Sequence, residues 1–421
     1  MPDPLANSYY AATALLRAVR PQLQGDLTCD VLIIGGGFTG VAAALACAEK
    51  GLDVVLLEAE TIGFGASGRN GGQLIPGLRW SMREIEAAFG RDRAKAVFDL
   101  AYGARDRVWA RIAQHQIACD LKPGHFEAAI KPSHFRDMAR EAEWLATHYG
   151  HQSQIVPHAD MGRHIASAAY HGGIFDPQGG HFHPLNYVQG LARAAEAAGA
   201  RLFEQSRVIQ TSRNAGVTAE TRGGLVRADM ALLATDNWMG DLDAALGRQT
   251  IPIMNYNIAT APLAGADALL PSDAAIADSR FVLNYFRLSA DKRLIFGGGE
   301  KYVERPPRDV AAFVRRHMVQ VFPQLADVPI DYAWGGAVAV SRNRLPQIGR
   351  KGPLFYAHGF SGHGALVTTL AGELVAEAMA GTAAGFDVMA SLPASTFPGG
   401  RWLRRPLATL GLLWYALRDR L

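Results

Sequence analysis

The chain has 421 residues, 49% hydrophobic and 19% charged, a composition that fits two or three folded domain-sized units and excludes wholesale disorder. Its 42 basic and 39 acidic side chains leave a net charge of +3, too small for the basic footprint of a nucleic-acid binder, so a small-molecule partner is expected. Glycine supplies 45 of the 421 residues, well above a usual ~7%, as in enzymes whose backbone approaches a cofactor closely.

Asp30-Val31-Leu32-Ile33-Ile34 predicts a strand ending in Gly35-Gly36-Gly37, and an alanine-rich helix follows from Thr39 to Lys50, stopped by Gly51. Val54 to Leu57 predicts a second strand that ends at Glu58 and Ala59, completing a βαβ module. From Ser81 to Gln116, Ile85, Ala88, Phe89, Ala94, Val97 and Phe98 keep helical spacing. Glu141 to His148 is again helical, and a short strand pair is expected between these helices. An alanine-rich helix from Gln189 to Ala198 precedes a strand from Arg201 to Gln210, a polar hairpin and a strand from Met230 to Ala234. Extended aromatic segments between Pro252 and Trp334, such as Phe281 to Leu288 and Arg293 to Gly297, predict an antiparallel sheet. Leu354 to Ala357 predicts a last strand, leading into Gly359-Phe360-Ser361-Gly362-His363-Gly364 and a helix from Ala365 to Met379. With no repeat or low-complexity linker, a second domain is expected as insertions between pieces of a nucleotide fold.

Cys29, Cys47 and Cys119 show neither CxxC spacing nor an even framework, so no disulfides or zinc are expected and a reducing cytoplasmic location fits. No secretory signal and no apolar run of about 18 residues is read, so no transmembrane segment is expected. His171, His181 and His183 cluster without a cysteine and with only Asp176 beside them, so no metal is expected. Trp402 to Leu421 carries arginines around an apolar run, which fits a terminal helix docked on the core or lying on a membrane surface.

Gly35-Gly36-Gly37-Phe38-Thr39-Gly40 matches G-x-G-x-x-G after a strand and at the start of a helix. Gly35 permits the tight turn, Gly37 leaves room for a pyrophosphate, and Gly40 lets helix pack on strand. The helix N-terminus offers free N–H groups to phosphates, and Glu58, 18 residues after Gly40, can accept from a ribose hydroxyl. The loop Gly63-Phe64-Gly65-Ala66-Ser67-Gly68-Arg69-Asn70-Gly71-Gly72-Gln73 follows directly, and its donors would face a phosphate and a flat ring; the alternative is a solvated surface loop. The turn Gly359 to Gly364 brings a further helix N-terminus, suited to the negative charge an isoalloxazine gains on reduction, and this points to flavin rather than nicotinamide. His363 is expected near that ring or as a loop-stabilising residue, and no general base is assigned.

Together these motifs resemble the D-amino-acid-oxidase-like (DAO) superfamily of FAD-dependent oxidoreductases, which act on C–N bonds. More narrowly the chain is similar to the gamma-glutamylputrescine oxidoreductases of bacterial polyamine catabolism. That similarity runs through Ser8 to Ala12, Gly63 to Leu74, Gly179 to Leu185, Phe296 to Gly299, Phe322 to Leu325, Asp331 to Trp334, Gly359 to Gly364 and Phe397 to Arg401. The resemblance implies an α/β fold: a Rossmann-like FAD-binding domain of the glutathione-reductase/DAO type with an inserted antiparallel-sheet substrate domain. It assigns residues 1–85, 165–235 and 340–421 to FAD and 86–164 and 236–339 to substrate, with Val208 touching the adenine end. It further implies hydride transfer from an amine carbon to FAD, the imine then hydrolysing to an aldehyde.

Two departures bear on substrate and acceptor. Leu366 stands where sarcosine-oxidase-like relatives carry a carboxylate-binding lysine, and Ile295 where they carry an oxygen-activating one, so the acceptor is left as O2 or another oxidant. No cysteine lies between Trp334 and Arg344, which implies non-covalent FAD. Tyr256, Tyr285 and Trp334 are the candidates for an aromatic substrate wall, with core packing as the alternative, and Arg79 or Arg287 would meet a distant substrate carboxylate. The competing readings are an oxidase of N-methylated or cyclic secondary amino acids, and a flavin-binding sensor or assembly protein without turnover.

Overall fold

The computed structural model describes residues 7–15, 18–213, 216–301 and 307–398, and in it the apolar runs form two sheets. The first places Gln347–Lys351, Leu354–His358, Leu225–Leu233, Leu27–Ile34, Val54–Leu57 and Arg201–Phe203 side by side. All these neighbours are parallel except the first pair. Every residue of Val54–Leu57 is buried, as a parallel strand covered on both faces requires. Val31, Ile33, Val54 and Leu56 face the helices Phe38–Glu49, Pro184–Ala197 and Ala365–Met379, whereas Leu32, Ile34, Val55 and Leu57 face the hairpin Val208–Ser212/Val217–Thr221.

Small residues set how closely the helices approach. A Cβ on Gly372 of Ala365–Met379 would lie 2.3 Å from the Thr39 carbonyl oxygen, so the two backbones touch where they cross. The long helix Arg91–Gln114 buries Ala94, Val97, Ala101, Ala104, Val108 and Ile112 along one stripe in the same core. Arg107 Nη1 and Arg111 Nε then donate to the buried Glu373 carboxylate at 3.0 and 2.8 Å, tying that helix to Ala365–Met379.

The second sheet runs in the order Ile330–Ser341, Thr250–Thr260, Leu294–Lys301, Tyr285–Leu288, Ala275–Asp278, Lys122–Ala128, Gly172–His181 and Gln73–Leu74, with Gln154–Pro157 also on Gly172–His181. Its pairings are antiparallel except between Lys122–Ala128 and Ala275–Asp278. The register aligns Trp334, Asn257, Gly297, Tyr285, Ala277 and Glu127 in one cross-strand row, so these residues share a face. Tyr256, Ile258, Ile276, Phe286, Phe296 and Phe126 form the opposite face, covered by Val314, Met318 and Val321 of the helix Val310–Val321.

Several expected elements differ. The helical stretch from Ser81 is two helices, Met82–Phe89 and Arg91–Gln114, because Gly90 between them has φ +80°. A single strand, Lys122–Ala128, replaces the expected strand pair, and its partners are distant in sequence. The helix expected from Glu141 begins at Pro132, and the one expected from Gln189 begins at Pro184, each with proline in its first turn. The strand from Arg201 breaks after Phe203, where Gln205 at φ +52° and Ser206 turn to donate to the Glu60 and Glu58 carbonyls. The helix Val310–Val321 lies inside the stretch read as sheet.

His181 Nε2 bonds the Asp273 carbonyl at 2.8 Å, and His183 caps Pro184–Ala197 by accepting from the Asn186 N–H at 3.1 Å. Among the described residues no three His, Cys, Asp or Glu are placed to hold a metal ion, and no helix is long and apolar enough to cross a membrane. The segment Trp402 to Leu421 lies outside the described residues.

Two helical glycines make the close packing testable. A Cβ on Gly40 would lie 1.9 Å from the Gly35 carbonyl oxygen, whereas one on Gly103 meets nothing within 4 Å. Gly40→Ala is expected to destabilise by about 1–3 kcal/mol through overpacking. Gly103→Ala is expected to stabilise by roughly 0.5–1 kcal/mol through reduced unfolded-state entropy. Urea unfolding midpoints check both signs.

Candidate active site

The Gly35 to Gly40 turn aims the first turn of Phe38–Glu49 into a large cavity. Gly35 has φ +114°, and a Cβ there would meet the Ala234 carbonyl oxygen at 2.5 Å, so only glycine fits between the strands. The Gly36 N–H donates to Glu58 Oε2 at 2.6 Å, and the Glu60 N–H to Glu58 Oε1 at 2.8 Å. Burial raises the Glu58 carboxyl above the usual carboxylate range, and these two N–H groups act against that. Its remaining lone pairs can accept from a ligand hydroxyl.

The Gly63 to Gln73 loop is docked on the same helix start, since the Phe38 N–H donates to Ser67 Oγ at 2.9 Å. Its polar side chains also hold the loop itself. Asn70 Nδ2 donates to the Ala66 and Ser67 carbonyls at 3.0 and 3.1 Å, and Asn70 Oδ1 accepts from the Gly72 N–H at 2.8 Å. Arg69 Nε donates to the Phe64 carbonyl at 2.7 Å and Nη1 to that of Gly335 at 3.3 Å. The second sheet holds the loop from beneath, with Trp334 Nε1 donating to the Arg69 carbonyl at 2.9 Å and Arg287 Nε to that of Gly71 at 2.8 Å.

The Gly359 to Gly364 turn brings the start of Ala365–Met379 to the opposite side of the cavity, so two helix N-termini converge on one space. Burial, helped by Arg79, pushes the His363 imidazole down to about 4, which leaves it neutral at pH 7. Asp236 lies against the same turn, accepting from the Gly359 N–H at 3.0 Å, and burial pushes its carboxyl up to about 6.

Of the expected residues, Gly35, Gly37, Phe38, Thr39, Glu58, Ala59, Gly65, Ala66, Ser67, Arg69, Asn70, Gly71, Gln73, Val208, Tyr285 and Phe360 to Gly364 line the cavity together. Gly40, Gly72 and Gly359 lie behind it, shaping the turns. Tyr256 and Trp334 are also outside, so the expected aromatic wall reduces to Tyr285. Strand alternation turns Tyr256 away between Asn255 and Asn257, onto the Phe313 ring 5.7 Å off, and Trp334 is buried beneath Arg69. Arg287, expected to meet a substrate carboxylate, is buried, its guanidinium donating to Gly71, Leu288 and Tyr10; Arg79 does line the cavity.

Asn255, Asn257, Asp236, Phe281 and Arg344 line the cavity unanticipated. Two asparagines at i and i+2 inside an otherwise apolar strand are the signal that would have found the first pair. Tyr285 Oη donates to Asn255 Oδ1, and the Arg344 guanidinium carbon lies over the Phe281 ring, 4.7 Å from its centroid.

A flavin dinucleotide fits this donor set. The helix starts and Glu58 suit pyrophosphate and ribose, and Asn257 Oδ1 and His363 Nε2 are buried atoms without a hydrogen-bond partner, available to polar ring edges.

The comparisons with known proteins agree with this architecture. The family described as DAO, FAD dependent oxidoreductase, matches residues 30–378. Gamma-glutamylputrescine oxidoreductase of Escherichia coli (strain K12) is 39% identical over 419 residues, covering 99% of this chain and 98% of that protein. A probable oxidoreductase, OrdL, of Rhizobium meliloti (strain 1021) is 39% identical over 416 residues, covering 98% of this chain and 97% of that protein. Glycine oxidase from Geobacillus kaustophilus superposes with a TM-score of 0.71 at 22% identity, covering 84% of this chain and 95% of that one, which shows a shared fold. The glycine turns, the acidic strand end and the paired helix starts are therefore those of a family member: this chain belongs to the DAO family of FAD-dependent oxidoreductases.

Proposed function

We propose that this protein oxidises the C–N bond of a carboxylate-free amine, gamma-glutamylputrescine or a related polyamine or alkylamine. The carrying observation is the chemistry of the cavity wall. Gly336 to Val340 present only apolar side chains or none, and no lysine lines the cavity among the described residues. Leu366 and Ile295, at the two positions where the resemblance would put lysines, are both buried in the core. A carboxylate on the reacting carbon would be desolvated beside apolar groups at a cost of several kcal/mol. The 39% identity to gamma-glutamylputrescine oxidoreductase supports the same reading.

Bound FAD supplies the hydride acceptor. The chain's part would be to hold and orient: the helix starts and Glu58 would hold the dinucleotide, the pinned Gly63 to Gln73 loop would hold the flavin ring, and Tyr285, Asn255 and Phe281 would wall the substrate side. His363 as a neutral imidazole adds no positive charge near the reacting amine, which must itself be neutral for its lone pair to stabilise the iminium. Hydrolysis of the resulting imine releases an aldehyde.

Cofactor attachment and substrate are separately testable. No cysteine lines the cavity among the described residues, so FAD is read as non-covalent, and acid precipitation should release all flavin to the supernatant. Glu58→Ala is expected to weaken FAD binding by about 1.5–3 kcal/mol, the worth of a hydrogen bond to a charged group. Fluorescence titration of apoprotein measures this, and unchanged affinity would remove Glu58 from the site. In anaerobic stopped-flow mixing, gamma-glutamylputrescine, putrescine or other alkylamines should bleach the flavin at least tenfold faster than sarcosine, glycine or proline. The reverse order would replace the amine reading with an amino-acid oxidase, and admitting air afterwards shows whether O2 serves as acceptor.

A further inference from the structure

Beneath the Gly63 to Gln73 loop lies a buried cation whose contacts are all neutral. Arg287 is 3% exposed on the strand Tyr285–Leu288, and its guanidinium donates to the Gly71 and Leu288 carbonyls and, at 3.1 Å, to Tyr10 Oη. Burial raises the Tyr10 hydroxyl above the usual phenol range, so it accepts as an uncharged group. Burial, helped by Arg287 itself, pushes the His181 and His183 imidazoles down to about 3, so neither carries charge at pH 7. Among the described residues no carboxylate pairs with Arg287. A guanidinium stays protonated in proteins, and burying one without an anion is costly.

This charge stands one peptide unit behind the cavity wall. Arg287 is two residues from Tyr285 and therefore on the same face of the strand, and Gly71, whose carbonyl accepts from Arg287 Nε at 2.8 Å, lines the cavity. A Cβ on Gly72 would lie 2.8 Å from Arg287 Nη2, so the guanidinium packs directly on the loop backbone. The same peptide is held from its other side, because the Gly72 N–H donates to Asn70 Oδ1 at 2.8 Å. A fixed charge in a site with little water acts strongly on a neighbour whose own charge changes. A flavin ring against this loop gains negative charge on reduction, which supplies the anion that the guanidinium lacks.

We propose that Arg287 is a positioning residue for the flavin, holding the Gly71–Gly72 peptide toward the ring and, through its unpaired charge, favouring the reduced cofactor over the oxidised one. Uptake of two electrons and one proton leaves the reduced ring anionic, and the guanidinium removes the drive to take a second proton. The effect is the same whatever donor delivers the electrons, so it stands apart from the amine reading. Trp334 provides the contrast, since it braces the same loop at the Arg69 carbonyl without a charge.

The midpoint potential of the bound flavin, measured on the holoenzyme by anaerobic equilibration with a reference dye, reads the charge rather than the packing. In Arg287→Gln, whose amide can still donate to Gly71, the equilibrium constant for reduction should fall at least tenfold, about 30 mV for a two-electron couple. In Trp334→Phe it should change less than twofold. A smaller fall in Arg287→Gln, or a comparable fall in Trp334→Phe, would overturn the proposal. Where a variant does not fold or retain flavin, the wild-type holoenzyme decides. Its potential should drop by about 30 mV per pH unit between about pH 6 and 8, as one proton taken up with two electrons requires. A slope of about 60 mV, the mark of two protons, means a neutral reduced ring and overturns the proposal as well. The order in which amines and amino acids bleach the flavin is read separately and leaves these potentials unchanged.

Discussion

The arrangement depends on the near-contact of two helix backbones. Gly372 passes the Thr39 carbonyl so closely that a single methyl group would collide with it, and the alanines around the crossing keep the approach open. Both helices start within two turns of that point, so their N-termini cannot be separated without opening the core. Each terminus leaves several N–H groups unpaired and carries a partial positive charge. Joined, they give one cavity two electropositive ends, one suited to phosphate and the other to a ring that becomes more negative when reduced. Glycine and alanine enrichment is here an electrostatic device as much as a packing one.

The second constraint comes from the other sheet. The Gly63 to Gln73 loop has little regular structure of its own, a single turn at Ala66–Gly68. Its shape is imposed at Arg69 and Gly71, whose carbonyls accept from Trp334 and Arg287. Arg287 in turn donates to Tyr10, which belongs to the short helix Tyr9–Thr13 capped by Ser8. A signature at the start of the chain, a sheet near its end and the loop between them thus make one braced unit. Buried guanidinium donors aimed at carbonyls hold such a loop more firmly than its own turns could.

The nucleotide half was legible because its signals are local. The strand Val54–Leu57 and the helix Ala365–Met379 have the expected limits, and the glycine turns lie where a strand meets a helix. What remained hidden was non-local. The break after Phe203 is made by carbonyls of Glu58 and Glu60, far back in the chain, and Gly90 splits a helix whose apolar spacing continues across it. Aromatic character does not say which face a strand residue takes, and pairing register turns Tyr256 to the rear; Trp334 shares the front face but is covered by Arg69. The same register brings Asn255 and Asn257 to the cavity, where only their polarity inside an apolar strand marks them.

That alternation divides the second sheet into two independently variable surfaces. Tyr256, Ile258, Ile276, Phe286, Phe296 and Phe126 carry the core behind it, while Asn255, Asn257, Ala277 and Tyr285 face the cavity. Point substitutions on the front can retune what the cavity accepts without touching the packing that keeps the sheet folded. An insertion or deletion of one residue within a strand has the opposite effect, since it exchanges the two faces from that point onward and loses recognition and core together. Lineages that share this sheet are therefore expected to diverge in substrate by substitution within these strands, and in length only at the connections between them.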